Sequence, residues 1–168
     1  MRDFFWLNQA VAYWAIVLFI VPVKFIKKLL LFAFLGGFIY TWVVQYVAVA
    51  VLEKWVFVPD ILTVWGIPFF FVMSWFAVTF LFGYFLYRYP KYQIFIVVLF
   101  VSWGTLMSIL GHNYKQIGYQ GWSNLETFMF AVFSHVLLLY FFKYMHRVTD
   151  LGVKEDMIDF TVRSLRSK

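Results

Sequence analysis

The sequence predicts an all-α membrane protein, a bundle of five transmembrane helices. Hydrophobic residues make up 64% of the 168-residue chain and charged residues only 13%, a balance that a soluble domain of this size could not bury. The apolar residues also form five runs, each long enough to cross a bilayer core, which takes about 20 residues as a helix. Between the runs lie short segments that hold most of the charges.

The first predicted helix covers residues 5–23. Asp3 and Gln9 stand near its start, where a signal peptide would be basic, and no small-residue cleavage site follows, so we expect a retained helix. Pro22 is compatible with a helix that is finishing. A basic connector at residues 24–28, with three lysines, leads to the next run.

The second predicted helix covers residues 29–52. Ala33 and Gly37 lie four residues apart on one face of it, a pattern that lets a neighbouring helix approach closely. Glycine is also simply common in membrane helices, which is the alternative explanation.

The third run, residues 61–87, contains Pro68 and is longer than one span needs. We expect residues 61–67 to lie along the membrane interface before the helix enters, because Trp55 and Trp65 are suited to the headgroup level. A helix kinked at Pro68 is the alternative.

The last two predicted helices cover residues 92–111 and 123–147. Pro90 requires the preceding helix to end in a tight turn. The fifth helix begins with Ser123 and Glu126 in the spacing of a capping box, and it ends in a cluster of cations that suits the helix dipole.

The positions of the basic residues predict the topology. Eleven of the fourteen lysines and arginines fall in residues 24–28, 88–91 and 143–168, which five crossings place on one side of the membrane. The other three are Arg2, Lys54 and Lys115. Because cytoplasmic loops carry the excess of basic residues, the prediction is N-terminus outside and C-terminus inside.

The sequence thus predicts a transmembrane domain at residues 1–147 and a cytoplasmic tail at residues 148–168. The second half of the tail has the spacing of an amphipathic helix, with apolar residues on one side and acids before bases. We expect it to lie on the membrane surface; a helix that docks on a partner and a disordered tail are the alternatives.

His135 is the titratable residue at the middle of the fifth helix. A polar side chain at this depth is costly in lipid, so we expect it to face other helices or a cavity, near Gln45, Ser74, Thr79 or Ser108. Three roles remain open: an interhelical hydrogen bond that holds the bundle, a proton or substrate site, and a metal or haem ligand.

Several function classes lose support from the sequence. All eight acidic residues lie at predicted helix ends or outside the spans, whereas proton-coupled transporters usually carry an acid inside. The chain has no cysteine and none of the common catalytic motifs, and Ser134 cannot form a dyad with the adjacent His135. The dispersed basic residues do not form a surface for nucleic acid. An enzyme is therefore not the expected class.

The loop at residues 112–122 is the most polar aromatic-rich segment outside the predicted spans. We regard His112, Tyr114, Lys115 and Trp122 as candidates for an external binding site, because loops often carry function. An interfacial belt of aromatic side chains is the alternative.

The chain resembles, over about residues 24–147, a family of small multi-pass membrane proteins of spore-forming Gram-positive bacteria. The residues that carry the resemblance are Pro68, Tyr89-Pro90, the segment 114–122, Thr127-Phe128 and the aromatic end at 138–144. The family has no established function, and the resemblance implies a bundle in the bacterial cytoplasmic membrane.

The first functional hypothesis is a structural or interaction subunit, or a small-ligand binder, that associates through its membrane helices with a protein partner or a second copy. The alternative is a small transporter or channel with a polar path around His135. The second alternative is a haem- or quinone-binding membrane protein; no cofactor is otherwise predicted.

Overall fold

The computed structural model describes the backbone of residues 4–149 and the side chains of residues 4–145. Most of these residues are helical. The elements in order are α1 (Phe5–Ile20), α2 (Val23–Val51), β1 (Trp55–Phe57), β2 (Thr63–Val64), β3 (Ile67–Pro68), α3 (Phe69–Arg88), α4 (Gln93–Asn113), β4 (Ile117–Tyr119) and α5 (Asn124–Thr149). The amphipathic helix predicted in the second half of the tail lies outside the described residues.

Four of the described helices, α2 to α5, are long and apolar enough to cross a membrane, and they indicate a membrane-embedded protein. The remaining helix, α1, is apolar but has only 16 residues. It is about 24 Å long, which is less than the roughly 30 Å of a bilayer core. A fifth crossing by α1 therefore stays a prediction.

The boundary between α1 and α2 differs from the prediction. Helix α1 ends at Ile20 and α2 begins at Val23, so the predicted connector at residues 24–28 is in fact the start of α2. Pro22, with φ of −58°, ends α1 because it has no N–H to donate, and its fixed φ suits the start of a helix. The lysines do not interrupt α2, because their long stems can carry the charges to the polar region.

Helix α2 contains two π-helical segments, Phe34–Ile39 and Val47–Val51. The first holds Gly36 and Gly37, where α2 comes close to its neighbours. A Cβ on Gly36 would lie 2.7 Å from Leu138 of α5, and one on Gly37 would lie 2.8 Å from Thr79 of α3. The close approach predicted for the Gly37 face is therefore present.

The segment before α3 is a β-hairpin rather than a helical extension. Strands β2 and β3 pair across Trp65 and Gly66, whose φ angles of 51° and 77° are typical of a type I′ turn. Helix α3 begins at Phe69, directly after the hairpin. The alternative of a helix kinked at Pro68 is therefore wrong.

Two loops distant in sequence meet at one end of the bundle, which we call the sheet end. Strand β1 pairs antiparallel with β4, with Trp55 opposite Tyr119. Asp60 accepts a hydrogen bond of 3.1 Å from the backbone N–H of Leu7, so the start of α1 lies at the same end. The ring of Phe25 contacts Tyr84 near the end of α3, so α2 starts where α3 finishes.

The end of the bundle opposite the sheet end is called the basic end. It holds Lys24, Lys27, Lys28, Arg88 and Lys91. The alternation of helix ends between the sheet end and the basic end agrees with antiparallel crossings. Which end faces the cytoplasm stays a prediction. At the start of α5, the N–H of Ser123 donates to Glu126 Oε2 (2.6 Å) and the N–H of Glu126 donates to Ser123 Oγ (3.2 Å). These bonds confirm the capping box.

The buried apolar side chains form two clusters along the bundle. The larger, at the basic end, joins residues of all five helices and includes Val17, Leu29, Phe80, Phe82, Leu86 and Phe142. The smaller, at the sheet end, includes Trp6, Trp55, Phe57, Ile67, Val72 and Ile117. The space between the two clusters contains most of the buried polar side chains and is the candidate site.

Candidate functional site in the bundle interior

A cavity of about 100 Å³ lies between the two clusters. All five helices contribute to its wall, and β1 and β4 contribute Trp55 and Ile117 from the sheet end. The volume is sufficient for several water molecules or one small organic molecule. Most of the wall is aromatic or aliphatic, with a limited number of polar groups, a composition that is typical of small-molecule sites.

The five intramembrane residues singled out in the sequence all line this cavity: His135, Gln45, Ser74, Thr79 and Ser108. Polar side chains in membrane helices avoid lipid by facing the bundle interior, which explains the common location. Their role as a functional site stays a prediction.

Two hydroxyl groups at this cavity donate to carbonyl groups of their own helix. Ser74 Oγ donates to the carbonyl of Phe70 (2.9 Å), and Thr79 Oγ1 donates to the carbonyl of Trp75 (2.8 Å). Each hydroxyl thereby satisfies its hydrogen and keeps oxygen lone pairs available as acceptors.

Among the described residues, His135 does not form the interhelical hydrogen bond that one interpretation predicts. Its Nδ1 lies 2.8 Å from the carbonyl oxygen of Ala131, one turn earlier in the same helix. A carbonyl can only accept, so Nδ1 carries the hydrogen and Nε2 of the neutral ring is an acceptor. The imidazole is surrounded by aromatic rings, with centroids 5.5 Å away for Phe82, 6.3 Å for Trp75 and 6.4 Å for Phe100.

Four polar atoms on cavity-lining side chains have no hydrogen-bond partner among the described residues. They are Trp6 Nε1, Gln9 Oε1, Gln45 Oε1 and Trp55 Nε1. The side chains of Trp6, Gln45 and Trp55 are more than nine-tenths buried. Each unpaired buried group costs about 1–3 kcal/mol, and in native proteins such groups usually have a water, an ion or a ligand as partner. Two of these groups are indole N–H donors and two are side-chain amides.

The contribution of Trp55 corrects the sequence prediction. Trp65 is 70% exposed, but Trp55 is only 7% exposed and points away from the surface. Its ring packs edge-to-face on Trp122 at 5.4 Å and on Phe130 at 5.7 Å between centroids. The Trp55 side chain therefore covers the cavity at the sheet end.

Sequence reasoning also missed Trp6, Gln9, Tyr13 and Trp103 as cavity residues. Trp103 Nε1 donates to the Tyr13 hydroxyl at 3.1 Å, which joins α4 to α1 beside the cavity. Tryptophan near a helix end usually marks the headgroup region, so its presence does not reveal that the ring turns inward. A polar residue such as Gln9 inside an apolar run was the available signal.

The loop candidates do not converge on a site of their own. His112 Nδ1 donates to the carbonyl of Ile117 (3.0 Å), and the imidazole stacks on Tyr119 with ring centroids 4.4 Å apart. Trp122 Nε1 donates to Thr127 Oγ1 at 2.9 Å. Tyr114 and Lys115 are exposed. The first two side chains stabilise the sheet end, and the last two extend from it.

The cavity wall has no charged side chain among the described residues. The hydroxyl of Ser134, the residue before His135, is hydrogen-bonded to the Tyr40 hydroxyl at 3.0 Å rather than to the imidazole. In residues 4–145 no group of three histidines or acids is arranged to hold a metal. The arrangement is suited to holding an uncharged molecule by hydrogen bonds and aromatic contacts.

The cavity ends at the basic-end cluster. Phe80, Phe82 and Leu86 of α3 are at most 1% exposed and fill the bundle on that side. The cavity, which we call the chamber, is therefore bounded on the basic-end side by packed apolar side chains of the described residues.

The fold and the cavity define a class: a helical, membrane-embedded protein with an interior cavity that is mostly apolar and holds a few neutral polar groups. No protein-family model, curated protein or solved structure matches the chain. The resemblance to membrane proteins of spore-forming bacteria has no family match to support it, and bacterial origin stays a prediction.

Proposed function

We propose that this protein binds a small, uncharged molecule with hydrogen-bonding groups in the chamber of its bundle, and that it does so without a chemical step. The observation that carries the proposal is one cavity whose wall combines aromatic side chains with neutral polar groups, among them the acceptors His135 Nε2, Ser74 Oγ and Thr79 Oγ1. Four further side chains of the same wall each have a buried polar atom without a partner among the described residues, which helix packing alone does not explain.

A purely structural subunit accounts less well for this chamber. In a bundle that only packs helices, buried polar groups are expected to pair with each other, because an unpaired group lowers stability. Gln45 and Trp55 are buried with an unpaired atom each. Ligand binding gives a reason to retain them, whereas helix packing does not.

The transporter and haem hypotheses also receive less support. No carboxylate lines the cavity among the described residues, and the packed basic-end cluster bounds it on that side. A haem macrocycle is much larger than about 100 Å³. His112, the other histidine with a described side chain, is bonded to Ile117 and stacked on Tyr119, away from His135.

The proposal is tested by filling the cavity. Ser74 lines the cavity and is 2% exposed, so Ser74→Leu would occupy the space of a ligand. We expect protein extracted from its native membrane in mild detergent to carry a neutral small molecule, detected by mass spectrometry of an organic extract. Ser74→Leu is expected to lose most of it.

The matched control is Ser102→Leu, the same exchange at an exposed position of α4 that does not line the cavity. It is expected to retain the molecule, and circular dichroism and gel filtration would verify that both variants are folded. Equal content in the wild type and both variants, or no bound molecule in any of them, would contradict the proposal.

We further propose that the protein lies in a bacterial cytoplasmic membrane with five crossings, N-terminus outside and C-terminus inside. The concentration of eleven basic residues on one predicted side supports this orientation. A tag on each terminus is expected to be accessible in intact cells at the N-terminus only. Access to both tags, or to neither, would mean an even number of crossings.

A further inference from the structure

A second, apolar depression adjoins the chamber on the lipid side, and we call it the lateral groove. It has a volume of about 210 Å³ and shares Tyr13, Val78 and Trp103 with the chamber wall. Its other walls are Ile16, Leu81, Phe85, Leu99 and Phe100, which continue toward the basic end. The chamber, whose wall includes neutral polar groups, and the more apolar lateral groove thus share one boundary.

The boundary is formed by few contacts. Helix α1 packs mainly against α3, and α4 packs mainly against α5, so α1 and α4 have little direct contact. They are joined at the boundary by the bond from Trp103 Nε1 to the Tyr13 hydroxyl (3.1 Å). Trp103 is 43% exposed, so its side chain has space to move toward lipid and connect the two volumes.

The acceptor groups on the chamber wall indicate which head group the ligand carries. Nε2 of His135 is an acceptor without a partner among the described residues, and Ser74 and Thr79 keep oxygen lone pairs beyond the hydrogen bonds that they donate. A hydroxyl group can donate its O–H to one of these acceptors. A quinone carbonyl can only accept and would leave them unpaired.

The lack of charged side chains in the described walls indicates that the head group of the ligand is uncharged. Neither the chamber nor the lateral groove has a charged side chain among the described residues that line it. A phosphate or carboxylate head placed there would be a buried, unpaired charge, which is strongly unfavourable. The apolar walls of the lateral groove suit a hydrocarbon chain.

We infer that the ligand is a single-chain lipid alcohol, with its hydroxyl group in the chamber and its hydrocarbon chain in the lateral groove. This inference rests on the proposed function and names its ligand class and its route of entry from the membrane. The hydrocarbon chain of the ligand moves from lipid into an equally apolar groove, so this transfer contributes little binding free energy. Hydrogen bonds to the head therefore provide the selectivity.

The test uses the purified full chain in lipid nanodiscs and a long-chain primary alcohol with a photoreactive diazirine at mid-chain. A matched hydrocarbon probe without the hydroxyl measures ordinary contact with membrane lipid. We expect the alcohol to label the groove-lining segments of α1 and α4 several-fold more than the hydrocarbon does. Unlabelled alcohol is expected to compete for this labelling.

The variant Leu99→Trp places a larger ring in the lateral groove. It is expected to reduce the labelling by the alcohol several-fold. Leu106→Trp is the control, because Leu106 is a similarly exposed leucine of α4 that lines neither volume. Equal labelling by both probes, or equal labelling of both variants, would overturn the inference.

A short alcohol separates this inference from the proposed function. Benzyl alcohol that raises the unfolding temperature of the wild type and of Leu99→Trp, but not of Ser74→Leu, would support a ligand in the chamber. If benzyl alcohol gives this result but the two photoreactive probes label the groove equally, the lipid-alcohol inference is rejected and the proposed function is still supported. If benzyl alcohol has no effect and extracts of wild type and Ser74→Leu are the same, the proposed function and the lipid-alcohol inference are both rejected.

Discussion

Trp55→Ala is expected to lower the free energy of unfolding by about 2–3 kcal/mol and to open the chamber at the sheet end. Removal of a buried tryptophan side chain typically costs about 3–5 kcal/mol. Part of this loss is offset here, because the unpaired indole N–H disappears with the ring. The ring contacts with Trp122 and Phe130 are lost as well. Unfolding in detergent, followed by circular dichroism, measures the change.

Trp65→Ala is the matched control for Trp55→Ala. Trp65 is 70% exposed and its ring packs on those of Trp42 and Tyr46, so a change of at most about 1 kcal/mol is expected. Trp55→Phe keeps a ring over the chamber without the N–H, and it is expected to lose less stability than Trp55→Ala. If both alanine variants were equally stable, the Trp55 side chain would not cover the chamber.

The existence of the helices follows from the sequence, but one of their boundaries does not. Apolar runs must form helices in lipid because every backbone group has to be paired within the segment. The end of a run is less certain, since lysine is compatible with the first turns of a membrane helix. This is why Lys24, Lys27 and Lys28 belong to α2 rather than to a connector.

The hairpin before α3 depends on a turn whose residues are not typical of its type. Type I′ turns usually contain asparagine, aspartate or glycine, because both central residues have positive φ. Here the first of them is Trp65, whose ring packs on Tyr46 of α2. Contacts with another helix thus help to select a conformation that local preference disfavours.

The chamber was partly predictable. Each of Gln45, Ser74, Thr79, Ser108 and His135 is polar within an apolar run, and the cost of exposing it to lipid predicts an inward position. The two tryptophans of the wall with unpaired N–H groups were not predictable, because Trp6 and Trp55 turn inward only through the packing of the sheet end. The register of β1 on β4 fixes Trp55 above the cavity, and no local pattern specifies that pairing.

Gln45→Met is expected to raise the stability of the ligand-free protein by about 1–2 kcal/mol and to remove ligand binding. Gln45 is 5% exposed, and its Oε1 has no partner among the described residues. Methionine has a similar length and an apolar thioether, so it removes the cost of an unpaired buried group without a large change in volume. Unfolding in detergent of delipidated protein measures the first effect, and mass spectrometry of native extracts measures the second.

The opposite signs of these two effects distinguish the competing functions. If Gln45 only held helices together, its replacement would lower stability, as the loss of a structural hydrogen bond does. If Gln45 is retained for a ligand, the wild type gives up stability for binding, and the variant recovers it. Gln120→Met, at an exposed loop position, is expected to change neither quantity. A destabilised Gln45→Met with its ligand content unchanged would favour the structural role.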